Sequence, residues 1–135
     1  MKVLIVGQDI PGLAEAYPED EFKHVEDLES VEWCNFLISY NYNKIIKTIK
    51  PNIINIHISY LPFNRGADPN FWSWINETPS GVSIHYITKK VDEGPILVQE
   101  ILEMDEKDTL KTSYNKLQEL AKKLIIENWG KIKRG

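Results

Sequence analysis

The chain has 135 residues, 42 % of them hydrophobic, and a formal net charge of −4 at pH 7. This length predicts a single domain over residues 1–135, and the acidic balance argues against a general nucleic-acid-binding protein, which needs basic side chains to neutralise phosphates. The one cysteine, Cys34, forms no internal disulfide, and no apolar run approaches the roughly 20 residues that cross a bilayer. With no signal-peptide pattern at the N-terminus, we expect a soluble, cytoplasmic protein without membrane partners.

The first half of the chain predicts alternating strands and helices. Val3 to Val6 is a continuous apolar run ending at Gly7, which is typical of a strand buried on both faces. A turn and a short helix through Ala16 follow, then a brief strand EFKHV, a buried strand NFLIS and a helix NKIIKTIK that stops before Pro51. With the next apolar strand, NIINIHI, these segments make a strand–helix–strand unit of an α/β protein.

The second half predicts two helices and an antiparallel hairpin. Asp68 and Pro69 suit the N-cap and first position of a helix PNFWSWIN. GVSIHYI and ILVQEIL are β-rich strands joined across the turn DEGP, so we expect them to pair antiparallel. Apolar residues at 110, 114, 117, 121 and 124 predict a long amphipathic helix that begins at an Asp108 cap and packs on the sheet.

Two polar side chains stand at the end of an apolar strand. Asn55 and His57 alternate with isoleucines, so they share one strand face about 6.5 Å apart. Ligands of open α/β sheets bind at the carboxyl ends of strands, where an amide and an imidazole can stabilise an oxyanion. From spacing alone, the favoured interpretation is that neighbouring backbone groups satisfy both side chains. Asp92 is similarly either a turn residue or a functional carboxylate, and His85 is better interpreted as a satisfied core or edge histidine.

Other common chemistries lack their motifs. The segment after the first strand, VGQDIPG, does not have the G-x-G-x-x-G spacing of a dinucleotide site, and the chain contains no Walker loop or G-x-S-x-G elbow. The three histidines and the cysteine are scattered, so the sequence predicts no metal site.

Two long segments carry a family resemblance. NIHISYLPFNRGADPNFW and, further on, GVSIHYITKKVDEGPILVQE resemble the core of the 10-formyltetrahydrofolate-dependent formyltransferases. The family signature is N-x-H, then S-x-L-P, then a V-D-x-G loop. The resemblance implies a single formyltransferase catalytic domain of Rossmann-like fold, with a mostly parallel central sheet, an antiparallel hairpin and flanking helices. It also implies a catalytic triad of Asn55, His57 and Asp92.

The family mechanism assigns a role to each member of this triad. An amine attacks the formyl carbon on folate N10, and Asn55 and protonated His57 stabilise the oxyanion. Asp92 pairs with His57, raises its pKa and accepts the amine proton. The resemblance further implies a formyl-folate pocket and an acceptor side: the expected folate contacts are Tyr40, Asn41, Tyr42, Leu61, Ile87, Val91 and Gly94, and the expected acceptor contacts are Arg65 and Asn70.

Within the family, LPFNRGADPNFW is closest in pattern to the nucleotide-sugar N-formyltransferases. The expected acceptor is therefore an amino sugar on a nucleotide carrier. A purine-pathway formyltransferase of the glycinamide ribonucleotide type is one alternative, and a non-catalytic folate-binding remnant is another. Residues 8–34 are a shortened crossover, so the N-terminal half is truncated relative to the family. Four tryptophans and six tyrosines leave room for an aromatic surface and a homodimer.

Overall fold

The computed structural model describes residues 1–47, 52–63, 70, 78–88 and 94–135. Six strands form one sheet in the order β2-β1-β3-β4-β5-β6. Strands β1 to β4 pair in parallel, and β5 and β6 are antiparallel, which confirms the predicted sheet and its hairpin. The elements are β1 (Lys2–Gly7), α1 (Leu13–Ala16), β2 (Glu21–Val25), β3 (Phe36–Tyr40), β4 (Asn52–His57), β5 (Gly81–Tyr86), β6 (Ile96–Ile101) and α2 (Leu110–Arg134).

Helix α2 covers one face of the sheet and forms the main core with it. Leu117, Ala121 and Ile125 are buried against the isoleucines of the central strands. Trp129 is 0 % exposed and meets Phe36 edge-on, with ring centroids 4.8 Å apart. The predicted amphipathic face is therefore correct from residue 117 onwards. It is wrong at positions 110 and 114, which are 44 % and 42 % exposed.

The opposite face of the sheet has a smaller core. Leu4, Leu37 and Ile53 project from β1, β3 and β4 on this side and enclose Cys34, which is buried as expected. Because side chains alternate along a strand, the residues that follow Ile53 on this face are Asn55 and His57. The polar pair therefore points away from α2.

Two sequence predictions about helix positions are wrong in the described residues. Residues 43–47 are not helical, and Ile45 is 77 % exposed. The two apolar residues of this segment, Ile45 and Ile46, do not offset the cost of helix nucleation. Residues 48–51 lie outside the described part. Helix α2 is capped by Thr109 rather than Asp108, because Thr109 and Thr112 exchange side-chain and backbone hydrogen bonds in a reciprocal box. Asp108 instead binds Lys116 at 2.7 Å.

The second helix predicted from sequence falls mostly outside the description. Residues 64–69 and 71–77 are not among the described residues, and Asn70 alone of the expected PNFWSWIN helix is described and helical. The Asp68 cap and the two tryptophans of this segment therefore remain predictions.

Candidate active site

Strands β4 and β5 place four polar side chains together on the face opposite α2. In the antiparallel register, His85 lies opposite Asn55 and Ser83 lies opposite His57. Ser83 and His85 are 0 % and 1 % exposed, and His57 is 7 % exposed. The sequence predicted the Asn55–His57 pair from alternation alone, whereas the two partners on β5 depend on the register between strands that are far apart in sequence.

His85 is buried, as the sequence favoured, and it also contacts Asn55. Its Nδ1 lies 3.0 Å from the Tyr86 carbonyl oxygen, which can only accept, so Nδ1 carries the ring proton in this arrangement. Nε2 is then an acceptor, and the Asn55 Nδ2–H group donates to it over 3.4 Å. The His57 and His85 rings stand 6.4 Å apart between centroids, at 79°. A histidine thus orients the amide of the predicted oxyanion donor.

The loop that carries Val91 and Asp92 begins and ends on described residues. Asp92 and Val91 themselves lie outside the described part, so their distance to His57 stays a prediction. At the start of the loop, the Ile87 amide donates to the Ile53 carbonyl at 2.9 Å. At its end, Gly94 lies so close to β5 that a Cβ there would be 1.7 Å from the Tyr86 carbonyl oxygen.

A steric constraint therefore explains the glycine of the V-D-x-G motif in this chain. Only a residue without a side chain fits between the returning loop and Tyr86. The Tyr86 amide also donates to the Pro95 carbonyl at 3.0 Å, which closes the loop next to β5. Both ends of the segment bearing Asp92 are consequently held at the strands that carry Asn55 and His85.

Leu61, a predicted folate contact, is buried just after β4 and is held by backbone hydrogen bonds. It is 3 % exposed, and its amide donates to Ser83 Oγ at 3.0 Å. The Leu61–Pro62 peptide bond is cis. Ser59 Oγ donates to the Phe63 carbonyl at 2.8 Å, so the S-x-L-P segment folds back on itself beside His57.

The three aromatic and amide residues predicted around the folate do not share one surface. Tyr40 is 0 % exposed under α2, where its hydroxyl donates to Gln118, and burial raises its pKa above the usual value. Tyr42 lies on the opposite face and donates to Asp27 at 2.7 Å. Asn41, between them, has a φ of 51° and donates to Gln8 at 2.7 Å. Of the three side chains, Asn41 is the exposed one at the carboxyl edge of the sheet.

The two predicted acceptor contacts have different outcomes. Arg65 lies outside the described residues. Asn70 is 4 % exposed, and its Nδ2 donates to the Leu110 carbonyl at 3.2 Å and to Ser113 Oγ at 3.1 Å. These bonds attach Asn70 to the first turn of α2, while its buried Oδ1 has no hydrogen-bond partner among the described residues. Contact of Asn70 with an acceptor stays a prediction.

The described residues lack two kinds of feature. No group of three or more His, Cys, Asp or Glu side chains in that part of the chain could hold a metal ion. Among the same residues, no helix is both long and apolar enough to cross a membrane.

Comparison with known proteins places this arrangement in a family. Residues 33–128 match the family model described as formyl transferase, and this match includes β3 to β6, Asn55, His57 and most of α2. The chain belongs to the formyl transferase family, and its sheet and helices have the family's Rossmann-like fold.

Curated relatives include proteins with different names. The bifunctional polymyxin resistance protein ArnA of Wigglesworthia glossinidia brevipalpis is 37 % identical over 106 residues, which are 68 % of this chain and 16 % of ArnA. A methionyl-tRNA formyltransferase of Thermodesulfovibrio yellowstonii is 36 % identical over 127 residues, covering 90 % of this chain and 40 % of the relative. The chain thus spans less than half the length of these curated relatives.

Solved structures include a sugar formyltransferase that is similar over nearly the whole chain. The formyltransferase PseJ of Anoxybacillus kamchatkensis, in complex with UDP-4,6-dideoxy-4-formamido-L-AltNAc and tetrahydrofolate, superposes with a TM-score of 0.90 at 39 % identity. The match covers 98 % of this chain and 77 % of PseJ. A phosphoribosylglycinamide formyltransferase of Bacillus halodurans matches with a TM-score of 0.76 at 20 % identity, a likeness of fold alone.

Proposed function

We propose that this chain transfers the formyl group of 10-formyltetrahydrofolate to a primary amine, and that the amine belongs to an amino sugar on a nucleotide carrier. The observation that carries the proposal is the placement of Asn55 and His57 side by side at the carboxyl end of β4, in a chain with the fold of PseJ. PseJ contains tetrahydrofolate and a UDP-linked formamido sugar, which have the chemistry of spent donor and formylated product.

The proposed mechanism uses the two strand residues as electrophilic groups. The acceptor amine attacks the formyl carbon, and the carbonyl oxygen becomes negatively charged. Asn55 Nδ2 and the protonated His57 ring donate to that oxygen, and the loss of such a donor typically costs about 3 kcal/mol of transition-state stabilisation. His85 holds the Asn55 amide with its nitrogen toward the ring, so the donor is already oriented before the charge develops.

Asp92 completes the proposed chemistry. Its carboxylate pairs with His57 and favours the charged ring, and it accepts the proton that the attacking amine must lose. The intermediate then collapses, the bond between the formyl carbon and folate N10 breaks, N10 takes up the proton that the amine lost, and tetrahydrofolate leaves. Ile87 is fixed beside the strand of Asn55, and Gly94 is fixed beside Tyr86 of β5. These two ends of the Asp92 loop support this placement.

The folate would lie along Leu61, Ile87, Val91 and Gly94, with Asn41 at the adjoining strand end. Arg65 and Asn70 would face the acceptor. In this proposal residues 1–135 act as one catalytic domain, its small-molecule partners are the folate and the amine acceptor, and no metal takes part.

An acceptor panel tests the proposal. The purified chain is incubated with 10-formyltetrahydrofolate and, separately, a UDP-linked 4-amino sugar, methionyl-tRNA and glycinamide ribonucleotide, and products are identified by the mass of an added formyl group. We expect formylation of the UDP-sugar at a rate at least about a hundredfold above the other two, because a pocket shaped for one acceptor leaves polar groups unpaired with another. Turnover confined to methionyl-tRNA, the acceptor of several curated relatives, would overturn the sugar assignment. Folate binding with no acceptor-dependent turnover would favour a remnant.

A further inference from the structure

The edge strand β6 contributes one side chain to the segment that follows His57. Gln99 Nε2 lies 3.2 Å from the Leu61 carbonyl oxygen and 3.2 Å from Ser83 Oγ. Its amide nitrogen has two N–H groups, so each acceptor can receive one of them. Gln99 therefore connects β6 both to β5 and to the folded-back residues beyond β4.

The Ser83 hydroxyl is at the centre of this arrangement and is fully used. It donates to the Ser59 carbonyl at 2.7 Å and accepts from the Leu61 amide at 3.0 Å and from Gln99. A hydroxyl has one donor and two acceptor positions, and here all three are occupied. Ser83 lies opposite His57 in the sheet register, and Gln99 lies opposite Ser83. The network is therefore one strand away from the predicted catalytic imidazole.

We propose that Gln99 is a positioning residue for formyl transfer. Through Ser83 and the Leu61 carbonyl, it holds residues 59–61 in place, and these residues set both the end of the His57 strand and the Leu61 wall of the formyl-folate pocket. The inference rests on the proposed function, because it assigns Gln99 a part in the same reaction. Gln99 touches neither the reacting atoms nor His57 itself in this scheme. Its effect passes through the backbone.

The chemistry of the position explains why an amide is needed. Glutamate has the same length but no donor, and its charge would face the Leu61 carbonyl oxygen. Methionine fills a similar volume without any donor, so it would leave the buried Ser83 hydroxyl with one acceptor position unused. Asparagine is one methylene shorter and would not reach both acceptors. Glutamine alone among these residues supplies two donors at the required reach.

The test compares Gln99→Met with the neighbouring variant Glu100→Met. Glu100 is exposed on the same strand and points to the other side, so it controls for altered β-propensity at the edge. Steady-state kinetics are measured with 10-formyltetrahydrofolate and the UDP-linked 4-amino sugar, well below each variant's melting temperature. A displacement of about 1 Å in a catalytic group costs on the order of a hundredfold in rate. We expect Gln99→Met to lower kcat at least about tenfold, with the KM of the sugar within about twofold, and Glu100→Met to be normal.

A purely structural role would give a different pattern. Gln99→Met would then lower the melting temperature and leave kcat at low temperature within about twofold of the wild-type value, and that result would overturn the inference. In a Ser83→Ala background, Gln99→Met should cost much less than it does alone, because part of its effect passes through the missing hydroxyl. Equal losses in both backgrounds would also contradict the proposal.

Hydrogen exchange separates this inference from the proposed function. Wild-type protein inactive with every acceptor would contradict the proposed function. In that case the exchange rate of the Leu61 amide decides whether Gln99 has the positioning role. We expect this rate to rise at least about tenfold in Gln99→Met, because the Ser83 hydroxyl then loses one of its three partners. An unchanged exchange rate would overturn the inference whatever the acceptor.

Discussion

Asn55 and His85 face each other across β4 and β5, and the Asn55 Nδ2 atom lies 3.4 Å from His85 Nε2. The other ring nitrogen is held by the Tyr86 carbonyl, so the direction in which His85 accepts is determined by the backbone of its own strand. A residue that sequence reasoning assigns to the core therefore sets the orientation of the amide proposed to meet the oxyanion.

Replacement of His85 should slow formyl transfer without removing the donor itself. His85→Phe keeps an aromatic ring in the buried position but offers no acceptor, so the Asn55 amide loses its orienting contact. We expect kcat to fall at least about tenfold, which corresponds to about 1.4 kcal/mol of transition-state stabilisation. His85→Gln, which can still accept, should retain more activity than His85→Phe. Identical losses of kcat in both variants would argue that the rate depends on the shape of the His85 ring and not on its acceptor nitrogen.

Gly94→Ala should damage the loop that bears Asp92. The new methyl group would meet the Tyr86 carbonyl 1.7 Å away, so the returning loop must shift. We expect the rate of formyl transfer to fall by about a hundredfold, as for a misplaced catalytic group. Gly130→Ala in α2 is the matched control, because its methyl would meet Tyr17 at an ordinary 3.4 Å and should stabilise the helix by about 1 kcal/mol. An active Gly94→Ala protein would show that the close approach is not required.

Asp20 should link stability to pH. Its buried carboxylate accepts from Lys133 Nζ at 2.7 Å and from Trp129 Nε1 at 3.0 Å, which joins the start of β2 to the last turns of α2. Burial raises the pKa of Asp20, but these hydrogen bonds outweigh burial and hold its pKa below the usual value. The carboxylate therefore stabilises the fold above the unfolded-state pKa of about 4, and this contribution is lost as the pH falls through the lower folded-state pKa.

Asp20→Asn should consequently lower the free energy of unfolding by about 2 kcal/mol at pH 7, the typical loss for hydrogen bonds to a charged group. The difference from wild type should shrink as the pH falls from about 4 through the lower folded-state pKa of Asp20, because the wild-type carboxylate then also loses its charge. Urea unfolding at pH 7 and pH 3 measures both values. Glu119→Gln, whose partner Lys122 is 3.5 Å away at the surface, should change stability by less than about 0.5 kcal/mol. A difference that is the same at both pH values would refute the assigned role of the Asp20 charge.

Much of the sheet could be predicted because its strands are apolar runs with clear ends. Apolar composition is enough to predict the strands at residues 3–6 and at NIINIHI. Strict alternation then places Asn55 and His57 on one face. The sequence predicts a helix over NKIIKTIK, but residues 43–47, the described part of that segment, are not helical. Lys44 there pairs with Asp27 at 2.7 Å, a contact with a distant residue that the sequence could not reveal.

Contacts between segments that are distant in the chain could not be predicted from the sequence. The Asn55–His85 contact requires the β4–β5 register, and Gln99 reaches Leu61 only because β6 pairs in turn with β5. Tyr40 and Tyr42 are two residues apart and would share a face of a continuous strand, yet their hydroxyls lie on opposite faces, because β3 ends at Tyr40 and Asn41 has a φ of 51°. A polar residue in a strand whose partners are unknown can be assigned a face but not a neighbour.

The central claim is that His57 and Asp92 act as one unit on the formyl carbonyl, and a double-mutant cycle in single-turnover formyl transfer tests it most directly. Asp92→Asn cannot take the amine proton or favour the charged ring, and His57→Asn removes that ring, so each should lose most of the rate while folate affinity changes little. We predict that the double variant is hardly slower than either single one, because residues acting together are strongly non-additive. Near-normal turnover by Asp92→Asn, or losses that multiply in the double variant, would contradict the account.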